Sequence, residues 1–292
     1  MASLIDIRRR IKSVKNTQQI TKAMKMIAAA RLRRSQDRVI AARPYAATLE
    51  ATLSSVASRI PPKDDGSPAH PLLEVREEKR VVVVTVTGDK GLCGGFNTNI
   101  NRATGLFLKD AEGRGVEKLQ MVTLGRKGND FWKRRPYEIV DGRPGIFLKF
   151  GYDTAAEIAR KLAASFVANE IDAVYVIYNE FKSVLTQIVR TKRLLPVELP
   201  EQKGDTGTDY LYEPAPDVIL GRLLPRHMEF QLYRAMLESA AAENAARMTA
   251  MDGASKNAGD MIGSLTLTYN RARQARITKE LIEIVSGAAA LD

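Results

Sequence analysis

The sequence holds a single cysteine, Cys93, among its 292 residues. One thiol excludes an internal disulfide and fits a reducing compartment. Histidine is nearly as scarce, at two residues, His70 and His227. Three such side chains are too few for the usual tetrahedral zinc sets. A cysteine nucleophile would have only those two imidazoles to serve as its base. No apolar run reaches the roughly 18 residues that a membrane-spanning helix needs; the strongest, Val81 to Val86, is the length of a strand. Acids are nearly missing from the first 60 residues, where Asp6, Asp37 and Glu50 stand against thirteen Lys and Arg. That imbalance accounts for most of the formal charge of +11. The stretch 215–292, with nine charges of each sign, is neutral. The amino-terminal segment therefore carries a local positive field toward nucleic acid, anionic lipid or an acidic protein surface. Its cations surround the segment and no aromatics interleave with them to stack bases, which argues against nucleic acid.

What the sequence does have is a long apolar stripe at each end. Leu4, Ile7, Ile11, Val14, Ala28, Leu32, Val39, Ala42, Ala46, Leu49, Leu53, Val56 and Ile60 recur every three or four positions. In the same register Gln18, Thr21, Lys25 and Ser35 are the polar exceptions. A stripe sustained this long is a coiled-coil seam rather than the face of a globular helix. A second seam runs through Phe230, Leu237, Ala241, Met248, Met251, Ala258, Ile262, Leu265, Tyr269 and Ala272. With both apolar stripes committed to each other, direct membrane binding is not expected either. Ser3 and Asp6 form an S-x-x-D capping box, a helix start. The first 20 residues are basic and acid-poor, as a mitochondrial presequence is. Their seam nevertheless continues in phase to Ile60, which a cleaved segment has no reason to do.

The first helix is predicted over about residues 3–58, roughly 80 Å long. Pro44 is expected to kink it, and Pro61-Pro62 to end it. The polar stretch 61–78 reads as a mobile loop and 200–216 as a linker. Between them, 79–199 alternates strands with helices, the pattern of βαβ crossovers and a mostly parallel sheet. Asp153 is the expected N-cap of a helix reaching about residue 169. A short helix at 216–224 is expected to stop at Pro225, and the long one to begin at about 226. The fold class is thus α/β: a Rossmann-like body (79–199) with a long antiparallel coiled coil made of 1–60 and 217–292. Equal rise on both helices places Met24 opposite about residue 260 and Leu4 opposite about residue 280. The last dozen residues would then protrude, and a protruding apolar tip is usually covered by something else.

The loop Gly88-Asp-Lys-Gly-Leu-Cys-Gly-Gly follows a strand and precedes a helix, where phosphate loops sit. Its spacing matches neither the dinucleotide nor the Walker pattern. It stands as a tight structural turn, a contact surface or a nucleotide site. In the first seam, Lys25 between Met24 and Met26, together with the polar residues from Asn16 to Thr21, marks a weakly packed or register-setting zone. Gly253, Ser255, Asn257 and Gly259 mark the same in the second.

Four blocks carry a resemblance. They are IRRRIKSVKNTQQITKAMKMIAAARLRRSQ (7–36), GDKGLCGGFN (88–97), ARMTAMDGASKNA (246–258) and YNRARQARITKELIEIVSGAAAL (269–291). In order and spacing the chain resembles the gamma subunit of F-type ATP synthases, in its bacterial form. The resemblance implies a rotor shaft inside an alternating ring of alpha and beta subunits, with the body against the epsilon subunit and the membrane c-ring. It implies coupling contacts to the beta subunit at Met24, Arg247, Gln274 and Thr278. A bearing tip would comprise Ile284, Val285, Ala288, Ala289, Ala290 and Leu291, and a body interface loop Gly91, Cys93, Gly94 and Gly95. It implies no cofactor, no catalytic residue of its own and no nucleic acid. Membrane contact would be only indirect, through the c-ring, at the cytoplasmic face of a bacterial inner membrane. Two other readings remain beside it: a nucleotide-dependent α/β enzyme with a helical handle, and a basic nucleic-acid scaffold.

Overall fold

A computed structural model describes residues 3–57, 60, 68–199 and 213–289. Residues 61–67 of the expected loop (61–78) and 200–212 of the expected linker (200–216) lie outside the described residues, as do Ala290 and Leu291. The elements run α1 (Leu4–Ala57), β1 (Arg80–Val86), α2 (Phe96–Gly113), β2 (Lys118–Leu124) and α3 (Arg126–Trp132). There follow β3 (Glu138–Arg143), α4 (Tyr152–Val167), β4 (Ala173–Phe181), β5 (Gln187–Leu195) and α5 (Pro216–Ala289). Packing divides the chain into two compact units, residues 1–28 with 247–292, and residues 29–246.

The larger unit is built on β1. Its RVVVVTV run is buried on both faces from Val81 onward, as a central parallel strand must be. Val82, Val84 and Val86 face one cluster with Leu53 and Val56 of α1, Ile158 and Phe166 of α4, and Leu220 and Leu232 of α5. Val81 and Val83 face the other cluster, with Ile100 and Leu108 of α2 and Trp132 of α3. Strand periodicity alone sorts these valines between two layers of helix. The sheet order is β3-β2-β1-β4-β5. The first three pairings are parallel and β5 closes the edge antiparallel to β4.

Two boundaries differ from expectation. Helix α4 is capped at Gly151, whose backbone N–H donates to Thr154 Oγ1 at 3.4 Å; Asp153 sits inside the first turn and favours it through the dipole. Helix α5 is not broken at Pro225 but begins at Pro216 and passes through it. Proline removes one hydrogen bond, here to Gly221, but Leu220, Leu224 and Met228 lie one turn apart on the same buried face. Their burial, about 1.5–3 kcal/mol for each large side chain, outweighs that one loss. Pro44 likewise stands on the exposed side of a continuous α1.

Inside this unit a polar chain joins three elements. Lys192 Nζ of β5 donates to Gln231 Oε1 at 2.8 Å, and Gln231 Nε2 donates to Glu50 Oε1 of α1 at 3.1 Å. His227, one turn before Gln231, is buried beneath them. Burial first, and then the Lys192 charge, push its imidazole down from 6.5 to about 4, against the opposing pull of Glu50. Between those values the unfolded chain binds a proton that the folded chain refuses. Stability is therefore greatest above about pH 6.5 and falls as pH drops toward 4, by about 3 kcal/mol at full linkage. Urea titrations at about pH 7 and about pH 4.5 should show that loss in the natural chain and a smaller one in His227→Gln. Equal pH dependence in the two proteins would overturn this.

Candidate functional site

The smaller unit pairs the amino-terminal part of α1 with the carboxy-terminal part of α5. Helix α1 starts where the capping box places it: Asp6 N–H donates to Ser3 Oγ at 3.2 Å and Ser3 N–H to Asp6 Oδ2 at 3.3 Å. Leu4, Ile7, Ile11, Val14, Gln18, Thr21, Lys25 and Ala28 all turn inward, the polar exceptions included. On α5 the inward residues are Met251, Ser255, Ala258, Ile262, Leu265, Tyr269 and Ala272. Both sets follow the heptad rule, which is why the seams could be read without a structure.

The polar exceptions meet each other. Lys25 Nζ lies 2.6 Å from Asp252 Oδ1, and Lys256 takes the other oxygen at 3.1 Å. These two cations hold the Asp252 carboxyl below the ordinary carboxylate range. Gln18 Nε2 donates to the Ser255 carbonyl at 3.2 Å and would touch any Cβ on Gly259. A glycine there lets the glutamine cross the seam. The register is thus Lys25 opposite Asp252, and not Met24 opposite residue 260. The expected facing pairs take the long helix to begin at about residue 226; it begins at Pro216, about ten residues earlier, so facing positions move by about one heptad.

That shift lengthens the unpaired end. From Arg273 to Ser286 every residue of α5 is exposed, including Ile277, Leu281, Ile282, Ile284 and Val285. Ala288 and Ala289 continue the helix. On α1, Arg8, Arg9, Arg10, Lys12, Lys15 and Lys22 are exposed, whereas half-buried Lys25 is spent on its pair with Asp252. Met24 is half-buried, whereas Met26 (67% exposed) and Ile27 (54%) face solvent. Arg247 is buried; Gln274 and Thr278 are exposed.

In the larger unit, the Gly-rich loop sits at the carboxyl ends of β1 and β2, beside the point where strand order reverses. Open α/β sheets bind nucleotides there. Here the chain's own groups fill the place. The Asp89 carboxylate accepts backbone N–H bonds from Arg126 (2.8 Å), Gly145 (2.6 Å) and Phe147 (2.9 Å). Helix α5 closes the other side: Ser239 Oγ donates to the Val86 carbonyl at 3.3 Å, and a Cβ on Gly88 would meet Glu243 Oε1 at 2.7 Å. Cys93 is turned into the core, its sulfur 3.2 Å from Asn97 Nδ2, so it is not a surface group. Lys90, Leu92, Gly94 and Gly95 are what this loop shows to solvent, with Asp89 and Gly91 half-buried. Among the described residues no cluster of His, Cys, Asp and Glu could hold a metal.

A seam of paired helices with an unpaired apolar end, on a chain that also folds an α/β unit, defines a class of α/β protein with a helical stem. The comparisons agree. The sequence model of the family described as ATP synthase matches residues 3–291. The ATP synthase gamma chain of Solibacter usitatus is 52% identical over 292 residues, covering all of both chains. Those of an Anaeromyxobacter and a Geobacter species are 51% and 50% identical over the same length. A chain from the central stalk and c-ring structure of Tetrahymena thermophila mitochondrial ATP synthase is 26% identical, with a TM-score of 0.61. That match covers 81% of this chain and 99% of the other. A Euglena gracilis mitochondrial ATP synthase chain shares the fold at 17% identity, over 99% of this chain and 94% of its own, with a TM-score of 0.68. The chain belongs to the ATP synthase gamma-chain family.

Proposed function

We propose that this chain is the central-stalk rotor subunit of an F-type ATP synthase, non-catalytic by itself, carrying torque between the membrane c-ring and the ring of alpha and beta subunits. Family membership gives the role, and the bare end of α5 is the observation that carries it. Five large apolar side chains on one unpaired helix, Ile277, Leu281, Ile282, Ile284 and Val285, are costly in water and need a sleeve. An apolar sleeve without fixed hydrogen bonds lets a helix turn inside it. The exposed cations of α1 supply the other requirement. Charge attraction is long-ranged and needs no locked geometry, so it persists while the shaft rotates past acidic loops. An asymmetric rod inside a symmetric ring gives identical sites unequal contacts, and rotation then shifts their nucleotide affinities in turn.

Gln274 and Thr278 are assigned to contacts with the beta subunit, and so is the surface around Met24, with Met26 and Ile27 as its exposed members. Arg247, being buried, serves that contact by holding α5 in place. The tip from Ile284 through Leu291 is the bearing, and the Gly91–Gly95 loop belongs to the body's interface with the epsilon subunit and c-ring. In this role the subunit would work at the cytoplasmic face of a bacterial membrane; no helix among the described residues is long and apolar enough to cross one.

The decisive experiment mixes the chain with its cognate alpha and beta subunits. ATPase activity should appear on assembly and be absent from each preparation of the pure chain. Robust turnover by the pure polypeptide, or a ring that gains nothing from its addition, would refute the proposal.

A further inference from the structure

A recess of about 330 Å³ opens between α1, α4 and α5 of the larger unit, lined by Tyr45, Tyr152, Arg160, Arg226, Glu229 and Phe230. Glu229 is its one acid, and it is 5% exposed. Both of its oxygens are served from within. Oε2 accepts from the Tyr152 hydroxyl at 2.6 Å, and Oε1 from Arg160 Nε at 2.7 Å. Burial first, and then that bond, push the Tyr152 phenol well above its ordinary range, so it stays neutral. Glu229 thus offers a ligand no open acceptor. The cations are differently placed. Arg160 spends only Nε, on a side chain that is 69% exposed, so its two terminal nitrogens are left to donate. Arg226 is exposed and has no hydrogen bond or ion pair among the described residues. Its charge is felt at the Tyr152 hydroxyl, which puts it on the same rim. The rings are held from behind: Phe230 packs on Tyr45 at 5.0 Å between centroids, and Tyr233 on Tyr152 at 5.9 Å. Tyr45, 45% exposed, and half-buried Tyr152 keep open surface.

Two guanidiniums against one carboxylate leave the lining with a single net positive charge. Asp153, exposed on α4, acts on Arg160 from outside the lining. Aromatic walls alone would suit an organic cation, but the two arginines repel one. We propose that this recess binds a small aromatic carboxylate, free in solution. Its carboxylate takes bonds from the terminal nitrogens of Arg160 and from Arg226, whose planar forks match that group. Its ring lies against Tyr45 and Tyr152, where aromatic pairs gain more than area alone gives. One negative charge balances the lining, and the volume is in the small-ligand range. None of the residues assigned to the rotor role takes part, so the site stands apart from that role.

The probe is 2-naphthoate, titrated into the full-length chain by calorimetry, with 2-naphthylmethylammonium and cyclohexanecarboxylate as controls. Saturable binding of one naphthoate per chain is expected, no binding of the ammonium, and weaker binding of the cyclohexane acid. Arg226→Gln should lower affinity about tenfold, by loss of a charged donor. Tyr45→Leu, which keeps apolar contact with Phe230 but removes the ring, should lower it about fivefold. Lys109→Gln, an exposed cation on α2, should leave it unchanged, which separates this recess from loose attraction to a basic chain. Both Arg226 and Tyr45 are exposed, and unfolding midpoints near the natural one establish that their variants are folded. Absence of saturation, equal binding of the ammonium, unchanged affinity in folded Arg226→Gln or Tyr45→Leu, or an equal loss in Lys109→Gln would overturn the site.

Discussion

Gly125→Ala is expected to leave a chain that cannot hold its sheet, with a loss of about 3–5 kcal/mol or more. Gly125 joins β2 to α3 at φ 98° and ψ 144°, a region open essentially to glycine alone. Backbone strain is the smaller part. A methyl there would sit 2.0 Å from the Thr87 carbonyl oxygen, which is backbone and cannot swing aside. Thr87 is itself pinned, its N–H bonded to the Leu124 carbonyl at 2.8 Å and its hydroxyl accepting from Gly128 N–H at 2.7 Å. Relief would require prising apart the ends of β1 and β2, which pair as far as Val86 and Leu124. Gly115→Ala is the control: φ is 88°, but nothing lies within 4 Å, so only the backbone term of about 1–2 kcal/mol remains. Urea midpoints of the two variants should differ widely. Similar, small losses in both would mean that the close approach of Gly125 to β1 is not rigid.

The seams were legible because each helix buries one stripe, and a stripe is a local property of sequence. Every position from Leu4 to Ala28 predicted to face inward does so, even Gln18, Thr21 and Lys25. Register was not legible, for a reason that belongs to the heptad itself. A seam slid by seven residues presents nearly the same apolar pattern, so apolar residues cannot choose between registers. Single polar contacts make the choice, and these join residues far apart in sequence: Lys25 to Asp252, and Gln18 to Ser255. Lys25 stands out as a polar residue in the first seam, but nothing local marks Asp252, beside the seam residue Met251, as its partner. Pro225 reads locally as a boundary, whereas tertiary packing of Leu220, Leu224 and Met228 carries the helix through it.

In the body, the buried run of β1 and the strand–helix alternation announced a parallel sheet, but strand order depends on which crossover goes which way. The Gly-rich loop illustrates a second limit. Glycines at a strand-to-helix turn advertise backbone room, and nothing local says what fills it. The occupants, Asp89 with its partners at 126, 145 and 147, and Glu243 of α5, come from segments that only the fold unites. Cys93 reads as a loop residue because Gly91, Gly94 and Gly95 surround it; its side chain points into the cluster with Phe96 and Ile100.

Asp89→Ala should therefore cost about 2–4 kcal/mol, more than an ordinary loop substitution. One carboxylate holds the first N–H of α3, at Arg126, and two amides of the turn at Gly145 and Phe147. Bonds from N–H to a charged oxygen are stronger than neutral ones, and helix starts favour negative charge. Loss of the side chain frees all three donors. Water can reach Arg126 readily, whereas Gly145 and Phe147 are part-buried and are served less well. Asp89→Asn should recover only part of the loss, because its amide nitrogen must face at least one N–H. Hydrogen exchange gives the sharper signature: amides 145 and 147 should lose protection in Asp89→Ala while β1 keeps its own. Unchanged protection at those two amides, with an unfolding midpoint near the natural one, would mean that Asp89 merely decorates this crevice and that its closure rests on Glu243 and α5.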